Sequence, residues 1–300
     1  MILVTGANGF IGKHLFNRLI KIYGNENVVA FTSEPTEVGN YLLHSNYSFD
    51  NNYFLENGFK NIHTIIHAGA FTPKTSSEKD DKVKSETNVT NTAKLLAANL
   101  PNLKKILFLS TLDIYNTDDI ISENSEVQPN SLYAQSKWDC ENMIALWAKK
   151  REKLYQIARI GHVYGPGEER YKKVIPETMK NLLSDKPIKL YGEGNEIRTF
   201  IYIHDVIKSI LHLLDFNYFV GPVNFVGNEG IKIKDLINTI IEISGNKAVL
   251  EKVDVNFDSK DFLFDNQKLK SIISTPFTNL KDGLSKEWNY MKSKYDAGIL

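Results

Sequence analysis

Three hundred residues are enough chain for one large or two medium domains with a substantial buried core, which excludes a disulfide-stapled miniprotein. With 42% hydrophobic and 24% charged residues, and 36 acidic against 36 basic side chains, no net field points to nucleic acid or membrane. The single cysteine, Cys140, cannot form an internal disulfide and lies outside any spacing that could hold a metal, so a reducing cytoplasm and no metal site are expected.

The first residues, Met1-Ile2-Leu3-Val4-Thr5-Gly6, form a strand-like run and a glycine turn where the basic region of a signal peptide would stand. A chain that is neither exported nor membrane-spanning is expected, since no stretch approaches the ~20 apolar residues that cross a bilayer. Short β-branched or aliphatic runs at 2–4, 28–31, 64–67, 106–109 and 156–160 alternate with longer stretches of helical period, which predicts βαβ units. Ile11, Leu15, Leu19 and Ile22 recur every three or four residues, as do Val89, Ala93, Leu96 and Leu100, each giving an apolar face for a crossover helix. After Tyr164-Gly165-Pro166-Gly167 the alternation loosens, with helices expected near 175–183 and 233–243. The expected fold is α/β: a Rossmann-type doubly wound parallel sheet over 1–165, then a smaller C-terminal α/β substrate-binding domain over 166–300. Part of 199–220 is expected to return to the first domain.

Thr5-Gly6-Ala7-Asn8-Gly9-Phe10-Ile11-Gly12 is a GxxGxxG turn that follows the first strand and opens the first helix. Gly6 and Gly9 let the backbone approach a pyrophosphate, Gly12 lets helix pack close on strand, and the helix N-terminus supplies a positive dipole. Gly6, Asn8, Gly9, Phe10, Ile11 and Gly12 are therefore candidate dinucleotide contacts. A plain strand-to-helix turn is the bland alternative, yet three glycines at this spacing have no packing reason to coincide with that junction. The acid that would hold the ribose of NAD should close the second strand, but Thr32 stands there, followed by Ser33 with no arginine near. That tilts the cofactor slightly from NAD to NADP. Asp50 could meet the adenine amino group or simply close a turn. The run Ile65-Ile66-His67-Ala68-Gly69-Ala70 ends in small residues, so a nicotinamide could lie along His67, Ala68 and Gly69. His67 itself reads more readily as a packed, hydrogen-bonded residue than as a catalyst.

The chemistry falls to Thr111, at the end of the strand-like run 106–109, and to Tyr133-Ala134-Gln135-Ser136-Lys137. A YxxxK match proves little alone: 14 tyrosines and 31 lysines in 300 residues give about 1.4 by chance. A second match, Tyr290 and Lys294, does occur, but in a polar C-terminal tail with no hydroxyl partner. On a helix, residues i and i+4 share a face, so the Lys137 ammonium favours the ionised Tyr133 phenol and tunes a proton donor toward neutral pH. Thr111 would orient the oxygen that exchanges its proton with Tyr133 while hydride moves to or from a nicotinamide.

Together these residues resemble the extended short-chain dehydrogenase/reductases, in the NAD-dependent epimerase/dehydratase branch that acts on nucleotide sugars. The likeness covers nearly the whole chain and takes in His67-Ala68-Gly69-Ala70, Asn88-Val89, Arg159 to Tyr164-Gly165-Pro166-Gly167, Tyr191-Gly192-Glu193-Gly194 and Arg198-Thr199-Phe200-Ile201-Tyr202-Ile203-His204-Asp205. It implies a nucleoside-diphosphate sugar as substrate, with Arg198 and the turn at Tyr191 on the diphosphate, and a homodimer through helices around 88–99 and 133–148. A structural salt bridge is the alternative for Arg198. Three departures matter. His162 stands where the family has a substrate-contacting Asn. Val255, three residues before Asp258, stands where a second phosphate-binding Arg is usual, leaving Lys252 or Lys260 as substitutes. Leu112 replaces the acid that family dehydratases carry after the Thr, with only Asp113 beside it, so simple hydride and proton transfer is expected. Thr32 tilts that expectation to a reductase of 4-keto-6-deoxyhexose nucleotides; a 4-epimerase is the alternative, and a non-enzymatic dinucleotide sensor a remote one.

Overall fold

The computed structural model describes every residue except 118–119, 255–260 and 274. In chain order the elements are β1 (Ile2–Thr5), α1 (Phe10–Tyr23), β2 (Val28–Thr32), β3 (Asn40–Leu43), α2 (Tyr53–Glu56), β4 (Thr64–His67), α3 (Lys82–Ala97), β5 (Lys105–Thr111), α4 (Leu132–Lys150), β6 (Leu154–Ile160), β7 (His162–Tyr164), α5 (Val174–Leu183), β8 (Ile188–Tyr191), β9 (Ile197–Tyr202), α6 (Ile203–Asp215), β10 (Val223–Phe225), β11 (Gly230–Lys232), α7 (Ile233–Ser244), β12 (Leu250–Val253), α8 (Gln267–Ile272) and α9 (Leu280–Asp296). They fall into two compact units. The first comprises Met1–Asn116, Glu126–Ile160 and Ile207–Asn224; the second comprises Thr117–Ser125, Gly161–Val206 and Phe225–Leu300.

The first unit carries the seven-stranded sheet, ordered β10-β6-β5-β4-β1-β2-β3. From β3 to β6 every pairing is parallel, with Leu3 beside Val29 and Ile65, and Phe108 beside Ile157. This is the α/β Rossmann-type sheet that the alternating runs predict. A parallel sheet is covered on both faces, so its central strands are apolar throughout, and β1, β2 and β4 are buried at every position. Beyond β2 the core is aromatic: the rings of His44, Tyr47, Phe49 and Phe54 lie 4.5–5.4 Å from Phe31.

Two helix faces differ from expectation. In α1 the buried residues include Phe10, Leu15, Phe16 and Leu19, whereas Ile22, next to the last residue, is 45% exposed. In α3 Ala93 is exposed, and the stripe that turns inward is polar for two turns, Ser85, Asn88 and Thr92, before Leu95 and Leu96. Apolar periodicity misses that stripe because its residues are polar, with buried hydrogen bonds rather than aliphatic contacts holding Asn88 and Thr92.

In the second unit β11, β9 and β7 form one sheet and β12 and β8 another, with α5, α7 and α9 packed on one another. The C-terminal stretch that reads as a polar tail is α9. Leu284, Glu287, Trp288 and Met291 recur at helical spacing and are buried, and with one carboxylate among them the stripe is hard to see in sequence. No helix among the described residues is long and apolar enough to cross a membrane, and none of their His, Cys, Asp and Glu side chains gather into a group that could hold a metal ion.

Candidate functional site

The glycine turn is built for close backbone contact. Gly6 has φ +69°, and a Cβ there would stand 2.6 Å from the Gly69 Cα; a Cβ at Gly12 would stand 1.9 Å from the Gly6 carbonyl oxygen. The turn after β1 thus sits against the small residues after β4 and against the first turn of α1. Gly9 caps that helix with no side chain, and no acid lies in its first turn, so neither the cap nor the first turn brings a negative charge to its N–H groups. A phosphate-sized anion suits that end, and the residues present fit a dinucleotide.

At the end of β2, Thr32 is buried and its hydroxyl accepts from the Asn8 amide at 3.2 Å; the same amide reaches the carbonyls of Glu34 and Pro35 at 3.0 and 3.2 Å. Asn8 therefore ties the glycine turn to the loop that would receive the adenine ribose. Ser33 is exposed on that loop. Lys13, the cation that reaches it from α1, is paired with Glu37 at 2.7 Å. Asp50 is exposed and accepts from the Asn52 N–H at 2.7 Å, the geometry of a turn-closing aspartate.

His67 is 2% exposed and bonded at both ring nitrogens: Nδ1 lies 2.8 Å from Thr5 Oγ1 and Nε2 3.0 Å from Thr92 Oγ1. Thr92 gives its proton to the Asn88 carbonyl at 2.7 Å, so Nε2 carries the imidazole hydrogen and Nδ1 accepts from Thr5. Thr5 Oγ1 in turn accepts from Gly69 N–H at 2.8 Å. Burial, then the Lys137 charge, pushes His67 down to about 3, which keeps the ring neutral. Asn88 completes the network: it binds the Phe71 backbone both ways, at 2.7 and 3.2 Å, and donates to Ser136 Oγ at 3.1 Å. The polar stripe of α3 thus pins the loop after β4 to α4, beside Tyr133.

Ser131 caps α4, its hydroxyl accepting from Ala134 N–H at 3.2 Å, and this starts the helix so that Tyr133 and Lys137 share its inner face. Tyr133 is 6% exposed, its ring edge-on to Phe71 with centroids 6.2 Å apart. Lys137 is 3% exposed, donates to the Leu109 carbonyl at 2.6 Å and lies 4.2 Å above the Phe108 ring. Burial pulls its ammonium down to about 8, against the upward pull of Cys140 and Glu141. Thr111 ends β5 and caps a 3-10 turn, Leu112–Ile114, through the Asp113 N–H at 3.2 Å. Since that bond uses the oxygen as acceptor, the hydroxyl proton is the part left for a ligand oxygen. Leu112 is buried and Asp113 exposed.

A support that no motif marks lies one turn further along α4. Glu141 and Arg159 are each 3% exposed and joined by contacts of 2.8, 3.1 and 3.3 Å, and Arg159 also donates to the Tyr115 hydroxyl at 2.5 Å. The repeat Tyr133, Lys137, Glu141 every fourth residue was the available signal. Among the apolar residues of α4, which could serve either core or interface, Ile144 is buried in the first unit's core, Met143 and Trp147 are half-buried against it, and Leu146 is 70% exposed.

In the second unit, parallel pairing places His162 beside Phe200, two residues from Arg198. His162 and Arg198 line a cavity of about 250 Å³ together with Glu168, Lys173, Phe200 and Ile233. His162 is exposed to solvent at the start of β7; desolvation by the cavity wall, followed by the charges of Lys173 and Arg198, lowers it below the usual imidazole range, which favours the neutral ring. Arg198 stacks 5.0 Å from the Phe262 ring, and one of its amino groups donates to the Ile197 carbonyl at 2.9 Å. Sequence reasoning missed Lys173 and Glu168. Tyr191, at the end of β8, is 55% exposed and does not line this cavity, while Lys252 is ion-paired with Glu193. Val255, Asp258 and Lys260 lie outside the described residues.

The second YxxxK also takes a definite place. Tyr290 and Lys294 both bind Glu169 Oε1, at 3.3 and 2.7 Å, so Tyr290 stands in a helix and its hydroxyl has a carboxylate partner.

Residues 2–224 match the model of the NAD dependent epimerase/dehydratase family, and the chain belongs to that family. It is 28% identical to an uncharacterized UDP-glucose epimerase of Bacillus subtilis, over 99% of each chain. It is 27% identical to a trifunctional UDP-glucose 4,6-dehydratase, 3,5-epimerase and reductase of Arabidopsis thaliana, covering 96% of this chain and 46% of that longer protein. Among solved structures, UDP-glucuronic acid 4-epimerase from Bacillus cereus, in complex with UDP-glucuronic acid and NAD, superposes with TM-score 0.83 at 28% identity, covering 98% of this chain and 99% of that one.

Proposed function

We propose that the protein is a nucleotide-sugar 4-epimerase working with retained NAD. The observation that carries this is Thr111 at the end of β5 and Tyr133 and Lys137 on one face of α4, with a buried Leu112 in place of the first of the two acid and base residues a family dehydratase uses, a set suited to oxidation and reduction at one carbinol carbon. The epimerases among the relatives and solved neighbours weigh the same way.

Bound NAD would supply a reversible hydride acceptor for the sugar carbon. The Tyr133 phenolate removes the C4 hydroxyl proton and later returns it to the same oxygen, so the cycle consumes no net proton or cofactor. Lys137 favours the phenolate by its charge, and Thr111 donates a hydrogen bond that holds the oxygen. Gly6, Gly9 and Gly12 admit the pyrophosphate, Asn8 and Thr32 shape the adenine-ribose side, and Ala68 and Gly69 leave room for the nicotinamide. In the second unit Arg198, Lys173 and His162 take the nucleoside diphosphate, two cations and a neutral ring matching a doubly charged anion. A homodimer through α3 and α4 fits the exposed Val83 and Leu146.

The second reading is a 4-ketoreductase that exchanges NAD(P)H, favoured by Thr32 at the position of the ribose-binding acid. One experiment separates them. Protein purified without added cofactor is given UDP-glucose, and products are followed by NMR with nicotinamide absorbance in parallel. Interconversion of two C4 epimers with no cofactor consumed supports the epimerase. Inertness toward 4-hydroxy sugars, with stoichiometric oxidation of NADPH or NADH by a 4-keto nucleotide sugar, replaces it with the reductase.

A further inference from the structure

One wall of the His162 and Arg198 cavity holds a group that neither the motifs nor the proposed reaction uses. Glu168 lines that cavity and is 1% exposed; Glu287, from α9, is also 1% exposed and within hydrogen-bonding reach of it. One oxygen of each, Glu168 Oε1 and Glu287 Oε2, has no hydrogen-bond partner. An ionised carboxylate left that way in a dry wall is costly, and two side by side more so. A protonated carboxyl instead turns the orphan oxygen into a donor that needs an acceptor.

We propose that Glu168 is a ligand-binding group of this cavity, its protonated carboxyl, backed by Glu287, donating a hydrogen bond to an oxygen of the bound nucleoside diphosphate. The inference rests on the reading of the cavity as the nucleotide pocket and adds a proton to its binding equilibrium. The ligand then meets two cations, Lys173 and Arg198, and two neutral groups, His162 and Glu168. Once Glu168 ionises, it meets a carboxylate that repels it.

The charged surroundings allow that change near neutrality. Burial raises Glu168 to about 7 and holds Glu287 well above the usual carboxylate range. Lys173 opposes the rise at Glu168. Glu169 adds to it, though its own charge is answered by Lys294 and Tyr290. Tyr164 from β7 and Tyr202 from β9 are both raised, Tyr202 to about 12, and stay neutral. Asp205 from α6 faces Tyr164 and Tyr202, and His162 is held below the usual imidazole range, which favours its neutral ring. Tyr171, which also faces Glu168, is raised and stays neutral. Glu168, hydrogen-bonded to a Glu287 that is itself raised, thus changes charge near pH 7.

The test is the dissociation constant of UDP-glucose for the full chain by calorimetry from about pH 5.5 to 8.5. UDP-glucose is the probe because its diphosphate is a diester whose charge is constant across that range. The wild-type constant should be flat below about pH 6 and rise about tenfold between pH 6.5 and 8, with a fraction of a proton taken up on binding at pH 7.5, read from buffers of different ionisation heat. Glu168→Gln should bind with no such rise and no proton uptake, while Glu287→Gln, which still donates to Glu168, should keep both. A flat wild-type profile, or the same rise and uptake in Glu168→Gln, overturns the inference and leaves the nucleotide pocket standing. Absence of UDP-glucose binding at every pH overturns both.

Discussion

Glu141→Leu tests how the catalytic face of α4 is held. Glu141 is one helical turn beyond Lys137 and two beyond Tyr133, and it neutralises Arg159, which β6 places at 3% exposure. Deleting the carboxylate leaves a buried guanidinium with the Tyr115 hydroxyl as a neutral partner, and one broken buried pair costs about 3–5 kcal/mol. The loss should be read from urea unfolding followed by circular dichroism. Replacing both partners, Glu141→Leu with Arg159→Met, removes the stranded charge and should recover most of that loss, since an apolar pair of similar volume is often no less stable.

The same substitution has a catalytic readout. Glu141 supports the Lys137 ammonium, so without it Lys137 falls further below about 8, and the limb of the rate profile that follows Lys137 moves to lower pH. The double variant should therefore regain stability while keeping the shifted limb. A single variant losing less than ~1 kcal/mol, or a double variant as unstable as the single, refutes the argument that this pair is held by mutual neutralisation.

Tyr133→Phe should lower turnover by roughly 10²-fold or more with NAD affinity kept, and comparable activity in a steady-state assay would remove Tyr133 from the mechanism. Tyr290→Phe should leave turnover near wild type, because it deletes a 3.3 Å contact to Glu169 that Lys294 also holds. Gly12→Ala should abolish NAD binding in a fluorescence titration, since its methyl would stand 1.9 Å from a backbone oxygen that has no rotamer to escape to. Arg198→Ala should weaken UDP-glucose by about 2 kcal/mol with NAD affinity unchanged; a loss in both ligands would indicate a structural cation instead. His67 takes up its proton in the unfolded chain near pH 6.5 but in the folded one only near 3, so stability should fall as pH drops through that window. At pH 5 the loss is about 2 kcal/mol, and His67→Gln should lack it in acid titrations of unfolding free energy.

The sheet was legible because a parallel core writes its strands as short apolar runs: residues 64–67 read as a strand and are one, and 28–31 and 106–109 extend by a residue or more at their ends. The glycine turn was legible because its spacing answers to backbone clashes that any other residue would create. Buried polar structure was not. The polar pair Asn88 and Thr92 on the inward face of α3 looks like solvent-facing sequence until Phe71, His67 and Ser136 are brought to it from other segments. Glu168 and Glu287, 119 positions apart in sequence, give no sign of meeting, because a carboxylate pattern in sequence is read as surface.

The two YxxxK matches show what separates a motif from a site. Both lie on helices, so both place a phenol and an ammonium one turn apart, and that much follows from the period alone. At Tyr290 the neighbouring side chain is a carboxylate; it attracts the Lys294 proton, raises that lysine and uses both groups as a clamp on Glu169. At Tyr133 the lysine is buried 2.6 Å from a backbone carbonyl and above an aromatic face, burial lowers it, and no carboxylate takes its charge directly. A raised lysine locked to an acid has no charge to lend a phenol. A lowered one, held by neutral groups, does, and the sequence that makes the difference is not in the motif but in Leu109, Phe108 and the strand they belong to.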